Sequence, residues 1–311
     1  MDKKGKPAMT PLDPERDYYW EEGKMVLTAH FLKRRGYCCE SGCRHCPYGE
    51  KVISLVPSWT ETLLEAGVQV VGRTRFCIHP AEALRSIPAV GGTKSVDWSK
   101  AQGLGATVVL LDKEENTLPM HQSSPWPTHV THITSVRDVG PALEGMAQRF
   151  QRRALRDLSR RWKGVVEGLS QSPQKLPSWR QLPGVLEWWR TPTTEPLNYV
   201  YVIWSQPWMV VRSDTFIGSL FDLLGYSLIS APSGQGDSRY PTVDLLKDFD
   251  PETTCLLFSS EPYPFARKKG DLAQQPFASA LVDGEVYSWF GLRSLRFLEQ
   301  QFSLRSAGPV E

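Results

Sequence analysis

Hydrophobic and polar positions change period several times along the chain, and each change marks an element. The apolar run Lys51–Val56, closed by Pro57, predicts a short buried strand. WTETLLEAG follows, with Ser58 as candidate N-cap, Glu61 three residues on and Gly67 as the stop, which predicts a helix. Further apolar runs predict strands over Val68–Gly72 and Thr107–Leu111 and near His129–Thr134. Strands alternating with helical stretches imply a parallel α/β sheet.

From Val136 the texture changes. Val139, Leu143, Met146, Phe150, Ala154, Leu158, Trp162 and Val165 recur at steps of three and four, so one apolar stripe runs through residues 136–170. That pattern predicts a single long helix connecting two α/β halves. Residues 171–197, rich in Pro, Ser, Gln and Trp, read as an irregular crossing. The α/β rhythm resumes over 198–305. It predicts strands Tyr199–Trp204 and Thr254–Ser259, and helices Thr215–Leu224 (capped by Asp214), Val243–Lys247 and Leu292–Phe302. Residues 51–135 form the first half, 306–311 a tail, and the polar residues 1–17 a flexible tail. Met25–Lys33 fits either a strand or one to two helical turns.

Composition narrows the function classes. At 311 residues the chain exceeds one average domain. Its net charge of +2 gives no electrostatic footprint for nucleic acid, and no apolar run reaches membrane-spanning length. The start, MDKKGKPAMTPLDP, lacks the apolar core of a signal peptide, so a cytoplasmic location with reduced thiols is expected.

Four of the six cysteines, Cys38, Cys39, Cys43 and Cys46, lie in GYCCESGCRHCPY, within a module spanning 18–49. Cys43-x-x-Cys46 has metal-ligand spacing, and Cys38 and Cys39 supply further thiolates in a turn with Gly36 and Gly42. Two adjacent cysteines rarely bind one tetrahedral ion without strain, so either one is spare or a cluster with several metal atoms takes both. His45 is an alternative ligand, and Lys33, Arg34, Arg35 and Arg44 would offset thiolate charge. A module this small cannot build a core of its own, which favours a metal staple, zinc or an iron–sulfur cluster. The motif resembles the cysteine-rich front of small oxidoreductase-like proteins and of a compact uncharacterised family. That resemblance fixes no activity.

The segments VISLVPSWTETLLEAGVQVVGRTRFCIHPAE, VGGTKSVDW and VVLLDKEEN resemble the first lobe of the cobalamin- and iron-chelate-binding proteins, the substrate-binding components of importers. YVIWSQPWMVVRSDTFIGSLFDLLG and RYPTVDLLKDFDPETTCLLFSSEPYPF resemble the second lobe. The resemblance implies two Rossmann-like lobes on a long backbone helix, with the ligand clasped between them. Ligands of open α/β sheets bind outside the carboxyl ends of the strands. Candidate ligand residues there are Ser58, Trp59, Thr60, Arg75, Thr93, Lys94, Asp112, Glu115, Asn116, Trp204, Trp208 and Tyr240. The aromatic members would offer flat faces to a macrocycle, with cobalamin or another corrinoid the first ligand to expect.

Two departures stand out. Where the transport proteins carry a glutamate that docks on the permease, motif alignment places Ser99 and Leu246, so importer docking is not expected. Asp112 to Glu115 occupy a loop where a B12 binder presents an aromatic. Cys77 and His79, in RFCIHP, form a possible metal pair, but the bland reading of a buried thiol and a loop histidine is favoured. Cys255 reads as core.

The expectation is therefore α/β: two Rossmann-like lobes and a long backbone helix, plus a small N-terminal cysteine-rich metal module. The function expected is a cytoplasmic binding protein for a corrinoid or related chelate. Rivals are an iron–sulfur or thiol-dependent redox enzyme acting on that ligand, such as a corrinoid reductase, and a non-binding scaffold.

Overall fold

The computed structural model describes residues 11–14, 16–39, 41, 43–171, 178–229 and 238–306. Thirteen strands occur among them: β1 Tyr18–Glu21, β2 Lys24–Leu27, β3 Lys51–Ser54, β4 Gln69–Thr74, β5 Ala89–Gly91, β6 Val108–Asp112, β7 Thr128–Thr131, β8 Val185–Arg190, β9 Asn198–Trp204, β10 Trp208–Val210, β11 Thr242–Val243, β12 Thr254–Ser259 and β13 Ala278–Val282. The chain divides into two compact units, residues 1–131 with 142–159, and 132–141 with 160–311.

The first unit holds a five-stranded sheet in the order β5-β4-β3-β6-β7, with every pair parallel. Its strand β6 is a near-continuous apolar run, buried at all five positions because both faces are covered. The helix Pro57–Glu65 follows β3, but its N-cap is Val56 with no side-chain bond, so Ser58 lies inside the first turn. Proline at that first turn loses no hydrogen bond and presets φ. Strand β5, only three residues long, escapes the periodicity.

The second unit holds six strands in the order β11-β10-β9-β12-β13-β8. The three central strands, β9, β12 and β13, are parallel, whereas β10, β11 and β8 run antiparallel at the edges. Strand β8 lies within the span expected to be irregular. Its VLEWWR alternates weakly between half-buried and exposed positions, as edge strands do, and this hides it. The helix Phe216–Leu223 is capped by Thr215, whose hydroxyl accepts from Gly218 N at 3.0 Å; Asp214 instead pairs with Arg212.

The connector is helical, as expected, but comes in two pieces, Val136–Phe150 and Arg153–Gln171. Gln151 adopts φ +51 at the break, and one left-handed residue does not disturb an apolar stripe read at steps of three and four. The two helices fold back on each other. Trp162 Nε1 donates to Val136 O at 2.6 Å, and Arg156 pairs with Glu144 at 3.5 Å. Asp138 Oδ2 accepts from the backbone N–H groups of Thr134 and Ser135, at 3.0 and 2.8 Å, and closes the start of the first helix.

The cysteine module opens with the β1–β2 hairpin, turned by Glu22 (φ 49) and Gly23 (φ 73), the left-handed pair that a two-residue hairpin needs. Met25–Lys33 then holds both expected alternatives, since β2 leads into a helix Ala29–Arg35 capped by Thr28 and ended by Gly36 at φ 82. The flexible tail expected over 1–17 ends earlier. Asp17 is buried, pairs with Arg34 and accepts from Asp13 N at 2.9 Å. Residues 1–10 and 15, the turn residue Gly42 and the closing residues 307–311 lie outside the described residues. Among the described residues no helix is long and apolar enough to cross a membrane.

Candidate functional site

The carboxyl ends of the first sheet gather most of the expected residues, though in two layers. Trp59 and Thr60 are fully buried and Ser58 nearly so. Trp59 Nε1 donates to Thr131 Oγ1 at 2.9 Å, and Thr131 Oγ1 donates to Asp112 Oδ2 at 2.7 Å. Thr60 donates to Ser54 Oγ at 2.8 Å and lies 3.1 Å from the Cys77 sulfur. These side chains set the loops and present no face outward. Asn116 does the same: its amide donates to Leu55 O at 3.0 Å and Thr93 O at 2.9 Å, while its Oδ1 accepts from Asp112 N. Burial pushes the Cys77 thiol up, and the group behaves as a structural one.

The outer layer consists of Arg75, Lys94 and the half-buried Thr93 and Glu115. Arg75 lies over the Phe76 ring at 4.8 Å, and Lys94 Nζ donates to Glu114 O at 2.9 Å. Phe76 is exposed beside Arg75, an aromatic that no periodicity or spacing singles out.

In the second unit, Trp204 ends β9 and is 42% exposed, packed edge-on against Tyr263 at 5.0 Å. Tyr263 follows the carboxyl end of β12, where EPYPF after that strand is the one sequence signal for it. Lys268 sits over the Tyr263 ring at 5.0 Å, and its hydrogen bond holds the phenol below the usual range. Trp208 plays another part. It stacks on Phe265 at 6.4 Å and packs against the buried cluster of Phe258, Val202 and Leu256. Tyr240 is half-buried. Behind β12, burial pushes the Glu261 carboxyl up, although Ser288 Oγ donates to it at 2.8 Å. Ser99 and Leu246 are both exposed: Ser99 bonds Asp97, and Leu246 stands 59% exposed.

The four cysteines meet in pairs. Cys38 Sγ lies 3.7 Å from Cys46 Sγ, and Cys39 Sγ lies 3.6 Å from Cys43 Sγ. Among the described residues, no three or more Cys, His, Asp or Glu side chains gather for one ion. All six cysteines are free thiols. Burial raises the Cys39 thiol, but bonds to Ser41, the neighbouring Cys43 and the Arg35 guanidinium outweigh it and bring it to about 7. Cys43 is pushed up by burial and by Cys39. His45 is engaged elsewhere, at 2.9 Å from Tyr19 Oη. Of the four cations expected to offset thiolate charge, Arg35 lies beside the sulfurs, whereas Arg34 pairs with Asp17 and Arg44 with Glu21. The second cation is Arg152, which no spacing in the arginine-rich QRRALRD distinguishes. It is 1% exposed and points Nη1 at Cys38 Sγ, 3.7 Å away.

The module is seated on the amino ends of the first sheet. Gln69, the first residue of β4, donates to Cys46 O at 3.0 Å, and Arg152 Nε donates to Gly67 O at 3.2 Å. Glu50 pairs with Arg149 at 3.2 Å and receives a bond from Thr107, just before β6. Strands of four to six residues rise roughly 13–20 Å, which separates the thiols from the carboxyl-end loops of this sheet.

Residues 7–52 match a family of unknown function (DUF5522). No curated protein sequence matches the chain. Among solved structures, the periplasmic vitamin B12-binding protein BtuF of Vibrio cholerae is similar with 16% identity and a TM-score of 0.57, covering 85% of this chain and 99% of its own. IsdE of S. aureus, solved with heme, has 12% identity and a TM-score of 0.60, covering 82% and 98%. An ABC-transporter substrate-binding protein of Listeria monocytogenes gives 12% identity and 0.61, with the same coverage. The chain therefore has the two-lobe α/β fold of the Fe/B12/heme substrate-binding proteins.

Proposed function

We propose that this chain binds a large, flat, metal-containing small molecule, a corrinoid or related chelate such as heme, at the carboxyl-end loops of its α/β sheets. The observation that carries the reading is the exposed Trp204, packed edge-on against the half-buried Tyr263 at the carboxyl end of the second sheet, where open α/β sheets bind their ligands. Within the first unit by itself, Arg75, Phe76 and Lys94 present cationic and aromatic groups of the kind that recognise carboxylate or amide arms. The module at 18–49 holds a metal through Cys38, Cys39, Cys43 and Cys46, and serves as a staple on the far end of the first sheet. Its distance from the carboxyl-end loops there weighs against the redox-enzyme rival, because none of the four module thiols reaches those loops directly. Free cysteines fit a reducing compartment, so the reading includes a cytoplasmic location.

Calorimetric titration of freshly purified protein with cyanocobalamin, cobinamide and ferric heme tests the ligand half. Micromolar or tighter binding of one of them is expected. If none binds below millimolar concentration and none co-purifies, the scaffold reading replaces it.

A further inference from the structure

The pairing of the four sulfurs bears on how many metal atoms the module holds, a question that rests on the proposal that it is a metal centre. In a tetrahedral thiolate site with metal–sulfur bonds of about 2.3 Å, two sulfurs on the same metal lie about 3.8 Å apart. Both observed separations, 3.7 Å for Cys38–Cys46 and 3.6 Å for Cys39–Cys43, match that edge. The neighbours Cys38 and Cys39 belong to different edges, which removes the strain that two adjacent ligands on one ion would impose.

We propose that the module holds a dinuclear [2Fe–2S] centre, with Cys38 and Cys46 on one iron and Cys39 and Cys43 on the other. Four thiolates around an oxidised [2Fe–2S] core leave a net charge of about −2. Two guanidiniums are placed to meet it. Arg152 is buried with Nη1 directed at Cys38, on one edge, and Arg35 lies beside Cys39 and Cys43, on the other. The Arg35 Nη2 group is buried with no hydrogen-bond partner, a donor left over for a bridging sulfide or thiolate.

The test is anaerobic reconstitution of the full chain in parallel with ferrous iron plus sulfide and with zinc. Metal and acid-labile sulfide are then measured, and spin resonance is recorded after dithionite reduction. The expected result is about two irons and two sulfides per chain, with one unpaired spin per two irons on one-electron reduction. The double variants Cys38→Ser/Cys46→Ser and Cys39→Ser/Cys43→Ser should each lose the whole cluster, not half of it, while circular dichroism shows the α/β sheets intact. One zinc or one iron per chain without sulfide would overturn the dinuclear centre yet leave a metal-binding module. Four irons with four sulfides would overturn it likewise. Retention of neither metal would overturn the metal reading itself.

Discussion

Trp59 and Thr131, seventy-two residues apart in sequence, are joined by an indole N–H donating to a hydroxyl at 2.9 Å, wholly inside the first lobe. The same hydroxyl donates to the buried carboxylate of Asp112 at 2.7 Å. One side chain thus ties the helix after β3, the end of β6 and the end of β7. Thr131→Val keeps the shape but removes the hydroxyl that accepts from the Trp59 indole and donates to the Asp112 carboxylate. A loss of about 2–4 kcal/mol is expected, since unsatisfied buried groups cost more than a hydrogen bond contributes. Thr131→Ser, which keeps the hydroxyl, should lose less than about 1 kcal/mol. Urea denaturation measures both, and equal losses would show that packing rather than the hydrogen bonds holds the loops.

Glu261 predicts a pH effect of definite sign. Burial raises its carboxyl in the folded state, from an ordinary value of 4.5. The folded protein therefore loses stability as pH rises from 4.5 through the raised value, where the group must ionise while buried. Glu261→Gln removes the charge and retains an acceptor for Ser288. Its melting temperature should exceed the wild type's at about pH 8, with the difference vanishing near about pH 4. A constant difference across that range would mean that ionisation plays no part.

Two glycines one turn apart on the second connector helix should respond in different ways. Around Gly164 a Cβ meets nothing within 4 Å, so Gly164→Ala should stabilise by about 0.5–1 kcal/mol through helix propensity alone. At Gly168 a Cβ would stand 2.6 Å from the Phe302 ring, so in Gly168→Ala that ring must leave its place, and the variant should gain nothing or lose stability. Thermal melts of both variants check the pair. Both residues have the same setting in the sequence, within one apolar stripe, and only the neighbour across the helix separates them.

The same contrast decides which parts of the fold are legible in the sequence. Long, doubly covered strands such as β6 and β12 announce themselves as apolar runs, and the helix after β3 by its period. Short or edge strands do not: β5 has three residues, and β8 mixes Trp with Glu and Arg. The left-handed Gln151 leaves no mark on a periodic stripe, so the pattern predicts one helix where two fold together. At the site, residue type is readable but layer is not. Trp59 follows β3 and Trp204 ends β9, and only tertiary packing buries one and exposes the other. Arg152 is invisible for the same reason, being one arginine among several until the chain folds it against Cys38.

The two tryptophans of the β9–β10 hairpin turn this difference of layer into an experiment. Trp208 stacks on Phe265 and packs against the core of the second lobe, so Trp208→Ala should cost about 3 kcal/mol of stability, as loss of a large packed ring does. Trp204 is 42% exposed and touches Tyr263, so Trp204→Ala should leave stability within about 1 kcal/mol of wild type. If Trp204 and Tyr263 form the platform on which a macrocycle stacks, the same variant should weaken binding by about 1–3 kcal/mol, roughly tenfold to hundredfold. Tyr263→Ala should do likewise, and Tyr263→Phe, which keeps the ring, should bind nearly as wild type. Parallel denaturation and calorimetric titration with cyanocobalamin and ferric heme give both readouts. A Trp204→Ala protein that is stable and binds undiminished would remove this pair from the ligand surface.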